Sequence, residues 1–191
     1  ITTADIDNGS SDVCSAVTLS LSQMTFDSSD IGVQSVTLTG VDASGNTSTC
    51  VASVTVEDNI APVALCQDVT LQLDGSGQAV LTASMVDAGS SDNCMVSSVL
   101  VSPNTFDCTE IGANTVTLMV SDGSGNTSTC TATVTVEDNV APVLTCAGTY
   151  SYVLVGGTVT IDPNDFATAT DNCGMVSLSA NHSAFDCTQL G

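Results

Sequence analysis

The chain repeats itself with a period of 80 residues. The heptapeptide SGNTSTC occupies positions 44–50 and returns unchanged at 124–130. Counted in 80-residue steps from residue 1, a third copy begins near Ile161. Its Asp-Asn-Cys triplet at 171–173 matches the one at 92–94. A fixed period of this length is typical of an array of similar domains. We therefore expect the function to lie in the array rather than in one specialised domain.

The period predicts three domains: an incomplete repeat at 1–59, a complete repeat at 60–139 and an incomplete repeat at 140–191. We expect the two incomplete repeats to be completed by chain outside this sequence or by a neighbour. Each boundary is followed within three residues by a proline, Pro62 or Pro142. Proline fixes φ, and a short linker that contains it favours a stiff, extended array over flexible beads.

The charge balance excludes two classes of partner. The chain has 21 acidic residues and no Lys or Arg, which gives a formal net charge of −21. Binding to nucleic acid requires cationic side chains that replace phosphate counterions, and an anionic membrane surface makes the same demand. We expect neither partner. Without Lys or Arg, each carboxylate must be stabilised by water, a backbone N–H or a metal cation. The hydrophobic fraction of 42% is sufficient for packed cores.

Alternating apolar and small polar residues, rich in Val and Thr, predict half-buried strands. Between them lie turn clusters of Asp, Gly, Ser and Asn, and no dozen residues show helical periodicity. The complete repeat predicts strands near residues 63–73, 79–86, 95–101, 104–108, 114–121 and 127–136. Short strands with turns at this spacing predict an all-β fold of tandem immunoglobulin-like antiparallel β-sandwiches in an extended array.

Four recurring motifs cover essentially the whole chain: Asp-x-Ser/Gly-Ser-Gly-Asn-Thr-Ser-Thr-Cys, Val-Thr-Val-Glu-Asp-Asn-x-Ala-Pro-Val, Gly-Ser-Ser-Asp-x-Cys and Thr-Phe-Asp-Cys. With these motifs the repeat resembles the hyalin repeat (HYR), and in particular tandem HYR modules of large secreted proteins of Bacteroidetes. The third copy departs from the pattern, with Thr-Ala-Thr-Asp at 168–171. The resemblance implies an immunoglobulin-like fold, an extracellular or cell-surface location and a role as a spacer or adhesive stalk.

Nine cysteines in recurring positions indicate an oxidising, extracytoplasmic environment. A structural zinc site is the competing interpretation, but the Cys-x-x-Cys spacing that favours it does not occur. Four cysteines in a complete repeat allow three pairings. In the sandwich that the resemblance implies, the first and last strands run parallel side by side, which favours Cys66–Cys130.

Two further bonds are expected from the spacing of the remaining cysteines. Cys94 and Cys108 flank one strand and its turn, and this spacing recurs in the third copy, so we expect the bonds Cys94–Cys108 and Cys173–Cys187. The position that would pair with Cys14 is Ser28. A Cys14–Cys50 bond is therefore the alternative, and it would imply a different connectivity in every repeat.

Acidic and amide side chains are expected to converge where one domain follows another. In an immunoglobulin-like sandwich, two of the loops lie at the end where the chain enters. Calcium takes 6–8 oxygen ligands in flexible geometry, so the resemblance to cadherin linkers predicts calcium at these junctions. Ordinary turn formation by Asp and Asn is the alternative. The first set is Glu57, Asp58, Asn59, Asp87, Asp92, Asp122 and Asn126, and the second set is Glu137, Asp138, Asn139, Asp171 and Asn172.

The residues of this chain give little indication of a catalytic function. His182 is the one histidine, and the second copy has serine at its equivalent position, Ser102. We expect no enzyme but a stalk or fibre segment of a secreted or cell-surface protein, an adhesin or filament. We expect its partners to be neighbouring repeats of the same protein, with self-assembly of such segments into filaments. The alternative is an adhesive module whose exposed loops bind a glycan or a cell-surface protein, for which Tyr150 and Tyr152 are the available aromatic residues.

Overall fold

The computed structural model describes residues 1–189, so the last two residues of the predicted third domain lie outside the described part. Strands dominate it, as expected for an all-β chain, and the helices are each one turn long. The strands are β1 Thr18–Leu21, β2 Gly32–Val41, β3 Thr47–Val56, β4 Val69–Gln72, β5 Gln78–Val80, β6 Val96–Ser102, β7 Thr105–Asp107, β8 Gly112–Asp122, β9 Thr127–Glu137, β10 Val143–Cys146, β11 Thr158–Thr160, β12 Ala167–Thr170 and β13 Ala184–Asp186.

The helical elements are short. The α-helices are α1 Thr3–Ile6 and α2 Ala83–Val86, and the 3-10 helices are Ser28–Asp30, Cys108–Glu110, Pro163–Asp165 and Cys187–Gln189. Within residues 1–189, no helix has the length and apolar character needed to cross a membrane.

The chain divides into two compact units. Unit 1 comprises Ile1–Val63, Ser91–Ser98 and Ser121–Ser128. Its main element is the antiparallel sheet β1-β2-β3, in which Val36 lies opposite Ala52 and Leu38 opposite Cys50. Val36 and Leu38 are buried while Thr37 between them is partly exposed. This alternation follows from the period-2 pattern of the sequence, since successive strand residues point to opposite faces.

Unit 2 comprises Ala64–Ser90, Val99–Val120 and Thr129–Gly191. Strand β4 pairs in parallel with β9 in the sheet β4-β9-β8-β6, with Val69 opposite Val134. The further pairs β5–β7, β10–β12 and β11–β13 are antiparallel. The buried side chains include Leu71, Leu81, Val86, Phe106, Val116, Leu118, Val120, Val134 and Val136. Most come from alternate strand positions, and together they form the largest core in the described chain.

The structure corrects two predicted strands. The strand expected over 79–86 ends at Val80, and Ala83–Val86 forms α2 instead, closed by a 2.9 Å hydrogen bond from Asp87 N–H to the Ala83 carbonyl. A single helical turn is too short to carry a helical period in the sequence. The strand expected over 63–73 is limited to Val69–Gln72, preceded by isolated bridges at Val63 and Cys66.

Two disulfides are formed within residues 1–189. Cys66–Cys130 is the bond expected from the parallel pairing of the first and last strands, which the β4–β9 pair shows directly. The second bond is Cys108–Cys173, so the expected Cys94–Cys108 and Cys173–Cys187 bonds are not formed. The prediction failed because it paired neighbours in sequence, whereas Cys108 bonds to a residue one repeat later. The other five cysteines are free, including the Cys14 and Cys50 of the alternative pairing.

Gly77 makes room for the Cys108–Cys173 bond. A Cβ at this position would lie 2.6 Å from Cys108 Sγ and 2.9 Å from the Asn172 carbonyl oxygen, closer than real Cβ contacts. Gly77 also has φ of +75°, a conformation that side chains disfavour. A side chain at position 77 would therefore clash with the Cys108–Cys173 disulfide.

Candidate metal-binding site

Four residues of unit 1 form what we call the first cluster: Asp58, Asp92, Asn93 and Cys94. Asp58 follows β3 in the linker motif, and the other three form the turn that precedes β6. Asp92 Oδ2 accepts hydrogen bonds from the N–H groups of Cys94 (2.9 Å) and Met95 (3.1 Å), which shapes the turn. One ligand atom each from Asp58, Asp92 and Cys94 lies within 4.8 Å of the other two.

Each carboxylate of the first cluster keeps one oxygen free. Asp58 is only 9% exposed. Its Oδ1 accepts from Ile60 N–H at 3.2 Å and from Asn93 Nδ2 at 3.3 Å. Asp58 Oδ2 and Asp92 Oδ1 are buried and accept no hydrogen bond from an N–H or O–H group of the described residues. Two carboxylate oxygens thus remain unsatisfied beside one thiol.

The first cluster opens on a groove of about 570 Å³ in unit 1. Glu57 and Asn59 of the linker line this groove together with Asp58 and Cys94. Ser28, at the start of the 3-10 helix Ser28–Asp30, also lines it. A small solute or a hydrated ion can therefore reach the cluster.

The Cys94 thiol stays protonated in this environment. Burial raises the pKa of Cys94, and contact with Asp58 and the negative charges of Asp92 and Asp122 raise it further. A bound cation would reverse this effect, because a coordinating thiol is deprotonated by the metal.

Unit 2 contains an equivalent group, which we call the second cluster: Asp138, Asp171, Asn172 and Cys173. Asn172 Nδ2 donates to Asp138 Oδ1 at 3.1 Å, as Asn93 does to Asp58. Asp171 Oδ1 and Asn172 Oδ1 are buried without a hydrogen-bond partner among residues 1–189. Cys173 is bonded to Cys108 here, so the second cluster offers oxygen ligands only.

The other residues of the two predicted calcium sets have different surroundings. Asp122 Oδ1 accepts from the N–H groups of Ser124 and Asn126, the turn interaction that was the alternative to calcium. Burial raises the pKa of Asp122, but hydrogen bonds, first from the Asn126 side chain, lower it more. The Asn126 amide nitrogen donates to the Asp58 carbonyl at 3.0 Å.

Three further members of those sets lie in unit 2 and make bonds of their own. Asp87 Oδ1 accepts from the Ser90 N–H and hydroxyl groups. Glu137 Oε2 accepts from Gln72 Nε2 at 2.7 Å, and Asn139 Nδ2 donates to Gln72 Oε1. The carboxylates of Asp87, Asp122 and Glu137 therefore already accept hydrogen bonds from side chains or from the local backbone.

Exposed turn carboxylates predict the response of stability to acid. Hydrogen bonds from the hydroxyl groups of Ser29, Ser76 and Thr109, followed by backbone N–H groups, lower the pKa values of Asp27, Asp74 and Asp107 below 3.8. A lowered folded-state pKa stabilises the fold above the unfolded value, and that contribution disappears as the pH falls through the folded value.

We therefore expect the free energy of unfolding to decrease as the pH falls below about 4. Relief of repulsion in a chain of charge −21 opposes this decrease at low salt. Urea denaturation at about 1 M NaCl, where the Debye length is about 3 Å, separates the two effects. An unchanged or rising stability between about pH 4 and about pH 2 at that salt concentration would contradict the expectation.

Sequence reasoning missed Cys94 as a possible ligand, because it assigned this cysteine to a disulfide. The available signal was the mismatch between Ser28 and its repeat equivalent Cys108. Cys108 bonds Cys173, and the residue equivalent to Cys173 is Cys94. Serine at position 28 therefore leaves Cys94 without its disulfide partner.

The strands, the two disulfides and the repeated acidic turns define a disulfide-stabilised all-β module. Residues 57–136 match the family model of the HYR domain. Over 161 residues the chain is 29% identical to hyalin of Strongylocentrotus purpuratus, in an alignment that covers 81% of this chain and 13% of hyalin. The chain contains an HYR-like domain and spans about an eighth of the length of this curated relative.

Proposed function

We propose that the chain is a structural segment of a stalk or fibre in a large secreted or cell-surface repeat protein, of the kind that Bacteroidetes produce. The Cys108–Cys173 bond carries this proposal, because it joins a residue of the second sequence repeat to one of the third. A covalent link between repeats, in addition to the backbone, resists extension and proteolysis. The HYR match and the similarity to hyalin support an extracellular, non-enzymatic, adhesion-type role.

Electron microscopy of the native material tests the structural role. We expect elongated stalks or filaments that contain this segment, detected with an antibody raised against it. Compact, isolated particles labelled by the same antibody would argue against the proposal.

Calcium binding at the second cluster is part of the proposal. Asp138, Asp171 and Asn172 offer carboxylate and amide oxygens, two of them buried and unpaired within the described chain, and calcium prefers such ligands. The ion would supply positive charge in a chain without Lys or Arg. It would hold the turn that carries Cys173 against the linker residue Asp138.

Calcium is therefore expected to raise the melting temperature. Extracellular calcium modules bind with Kd values of about 10⁻⁴–10⁻³ M, so about 2 mM calcium would stabilise the fold by about 0.6–1.8 kcal/mol. Calorimetry should show a rise in Tm of a few degrees that EDTA abolishes. Asp171→Asn should lose the shift, and Asp42→Asn, in a turn of unit 1, should retain it. An unchanged Tm with EDTA would refute calcium binding.

Glycan binding is the second candidate, favoured by one surface feature of unit 2. The rings of Tyr150 and Tyr152 lie 5.6 Å apart and border a groove of about 370 Å³. Tyr152 donates to Asp165 Oδ2 at 2.8 Å; burial, followed by this bond, raises the pKa of Tyr152 to about 12. Aromatic faces beside a fixed carboxylate suit sugar rings. A glycan array with the wild-type chain and Tyr150→Ala distinguishes this role: binding that requires Tyr150 supports it.

A further inference from the structure

We propose that Asp58, Asp92 and Cys94 bind a divalent cation of the zinc type, through the Cys94 sulfur and one oxygen of each carboxylate. Their ligand atoms lie within 4.8 Å of one another. Zinc binds sulfur at about 2.3 Å and carboxylate oxygen at about 2.0–2.2 Å. Small side-chain rotations therefore bring all three atoms onto one ion. This site does not depend on the proposed structural role.

The unpaired carboxylate oxygens favour the binding of a cation. Asp58 is nine-tenths buried, and its Oδ2 accepts no N–H or O–H hydrogen bond from the described residues. Asp92 Oδ1 in the same cluster is also buried and unpaired there. Burying a carboxylate oxygen without a partner is costly, and the chain has no Lys or Arg to offset two of them. A metal ion satisfies both oxygens at once.

The ligand set favours zinc over calcium. Thiolate is a soft ligand that selects zinc and related metals, whereas calcium requires 6–8 oxygen ligands. Three protein ligands with an open fourth position match the coordination of zinc sites that admit water, and the groove beside Cys94 gives access. Asn93 Nδ2 donates to Asp58 Oδ1 and to Cys94 Sγ at 3.2 Å, which orients two of the ligands.

The two clusters differ in one chemical respect. Cys173 of the second cluster is oxidised by its bond to Cys108 and cannot ligate a metal as a thiolate. Cys94 of the first cluster is free, since Ser28 occupies the position equivalent to Cys108. Of the two clusters, only the first, whose cysteine has no disulfide partner, offers a thiol.

Cadmium, a thiolate-seeking probe for zinc sites, tests the proposal in the full 191-residue chain with its disulfides intact. Titration with Cd²⁺ should produce the ultraviolet thiolate-to-cadmium absorption band, saturating at one ion per chain at the tightest site. Zn²⁺ should remove the band, and about 10 mM Ca²⁺ should not, because calcium does not compete for thiolate. Cys94→Ser should lose the tight site, whereas Cys50→Ser, which removes an exposed free thiol in β3, should retain it.

Asp92→Asn provides a second variant, with folding checked by circular dichroism. It should weaken Cd²⁺ binding by at least about tenfold. Retention of the tight site in Cys94→Ser would overturn the proposal, because the ion would then be bound by another thiol. Displacement of Cd²⁺ by calcium, or wild-type affinity in the Asp92→Asn variant, would overturn it as well.

Discussion

Removal of the Cys66–Cys130 disulfide is expected to lower the free energy of unfolding by about 4 kcal/mol. The two residues are 64 positions apart, so the bond removes much of the freedom of the unfolded chain. Single domains are stable by only about 5–15 kcal/mol. A Cys66→Ser/Cys130→Ser double variant should therefore unfold at a much lower urea concentration, as followed by circular dichroism.

A matched control is the double variant Cys50→Ser/Cys146→Ser. These residues are the repeat equivalents of Cys130 and Cys66, but both are free and exposed in the structure. Their replacement should change the free energy of unfolding by no more than about 0.5 kcal/mol. Serine variants are preferable to a reducing agent, which would also break Cys108–Cys173. Equal stability of the two double variants would show that the Cys66–Cys130 bond does not contribute as expected.

The sequence was sufficient to predict strands, because burial alternates with residue number. Val116, Leu118 and Val120 are buried in β8 while Thr117 and Met119 between them are exposed. The parallel pairing of β4 with β9 followed from the family resemblance, and it placed Cys66 beside Cys130. Helix α2 was missed because four residues are too few for a helical period to appear.

The second disulfide and the first cluster required the structure. The Cys94–Cys108 spacing recurs in the third copy, and sequence alone could not distinguish this local pairing from one between successive repeats. A recurring acid is also ambiguous: Asp122 satisfies its carboxylate within its own turn, whereas Asp58 and Asp92 each keep a buried oxygen that accepts no N–H or O–H hydrogen bond in the described chain. This difference depends on side-chain geometry that the 80-residue period does not encode.

Ser28→Cys is expected to add a third disulfide, between the new thiol at position 28 and Cys94, and to raise the free energy of unfolding by about 4 kcal/mol. Ser28 and Cys94 line one groove. The backbone at position 28 already matches that at position 108: each begins a 3-10 helix capped by the preceding aspartate, Asp27 or Asp107, with φ of −127° and −133°. Oxidised glutathione would accept the two electrons, and the two thiols would release their protons as the S–S bond forms.

Thiol titration of the unfolded, oxidised variant checks the bond directly. The wild-type chain has five free cysteines; Ser28→Cys adds one and the new bond removes two, so the oxidised variant should have one fewer. Urea denaturation should then show the gain in stability over the wild-type chain. Under reducing conditions, which break the native disulfides of both chains, the difference between them should disappear. Ser29→Cys is the matched control, because its equivalent in the second repeat is Thr109 rather than a cysteine.

The oxidised Ser28→Cys chain should also lose the tight Cd²⁺ site, since Cys94 is no longer a thiol. A Ser28→Cys variant that keeps all its thiols would show that the first cluster is not arranged like the Cys108–Cys173 pair, and the explanation for the free Cys94 would fail with it.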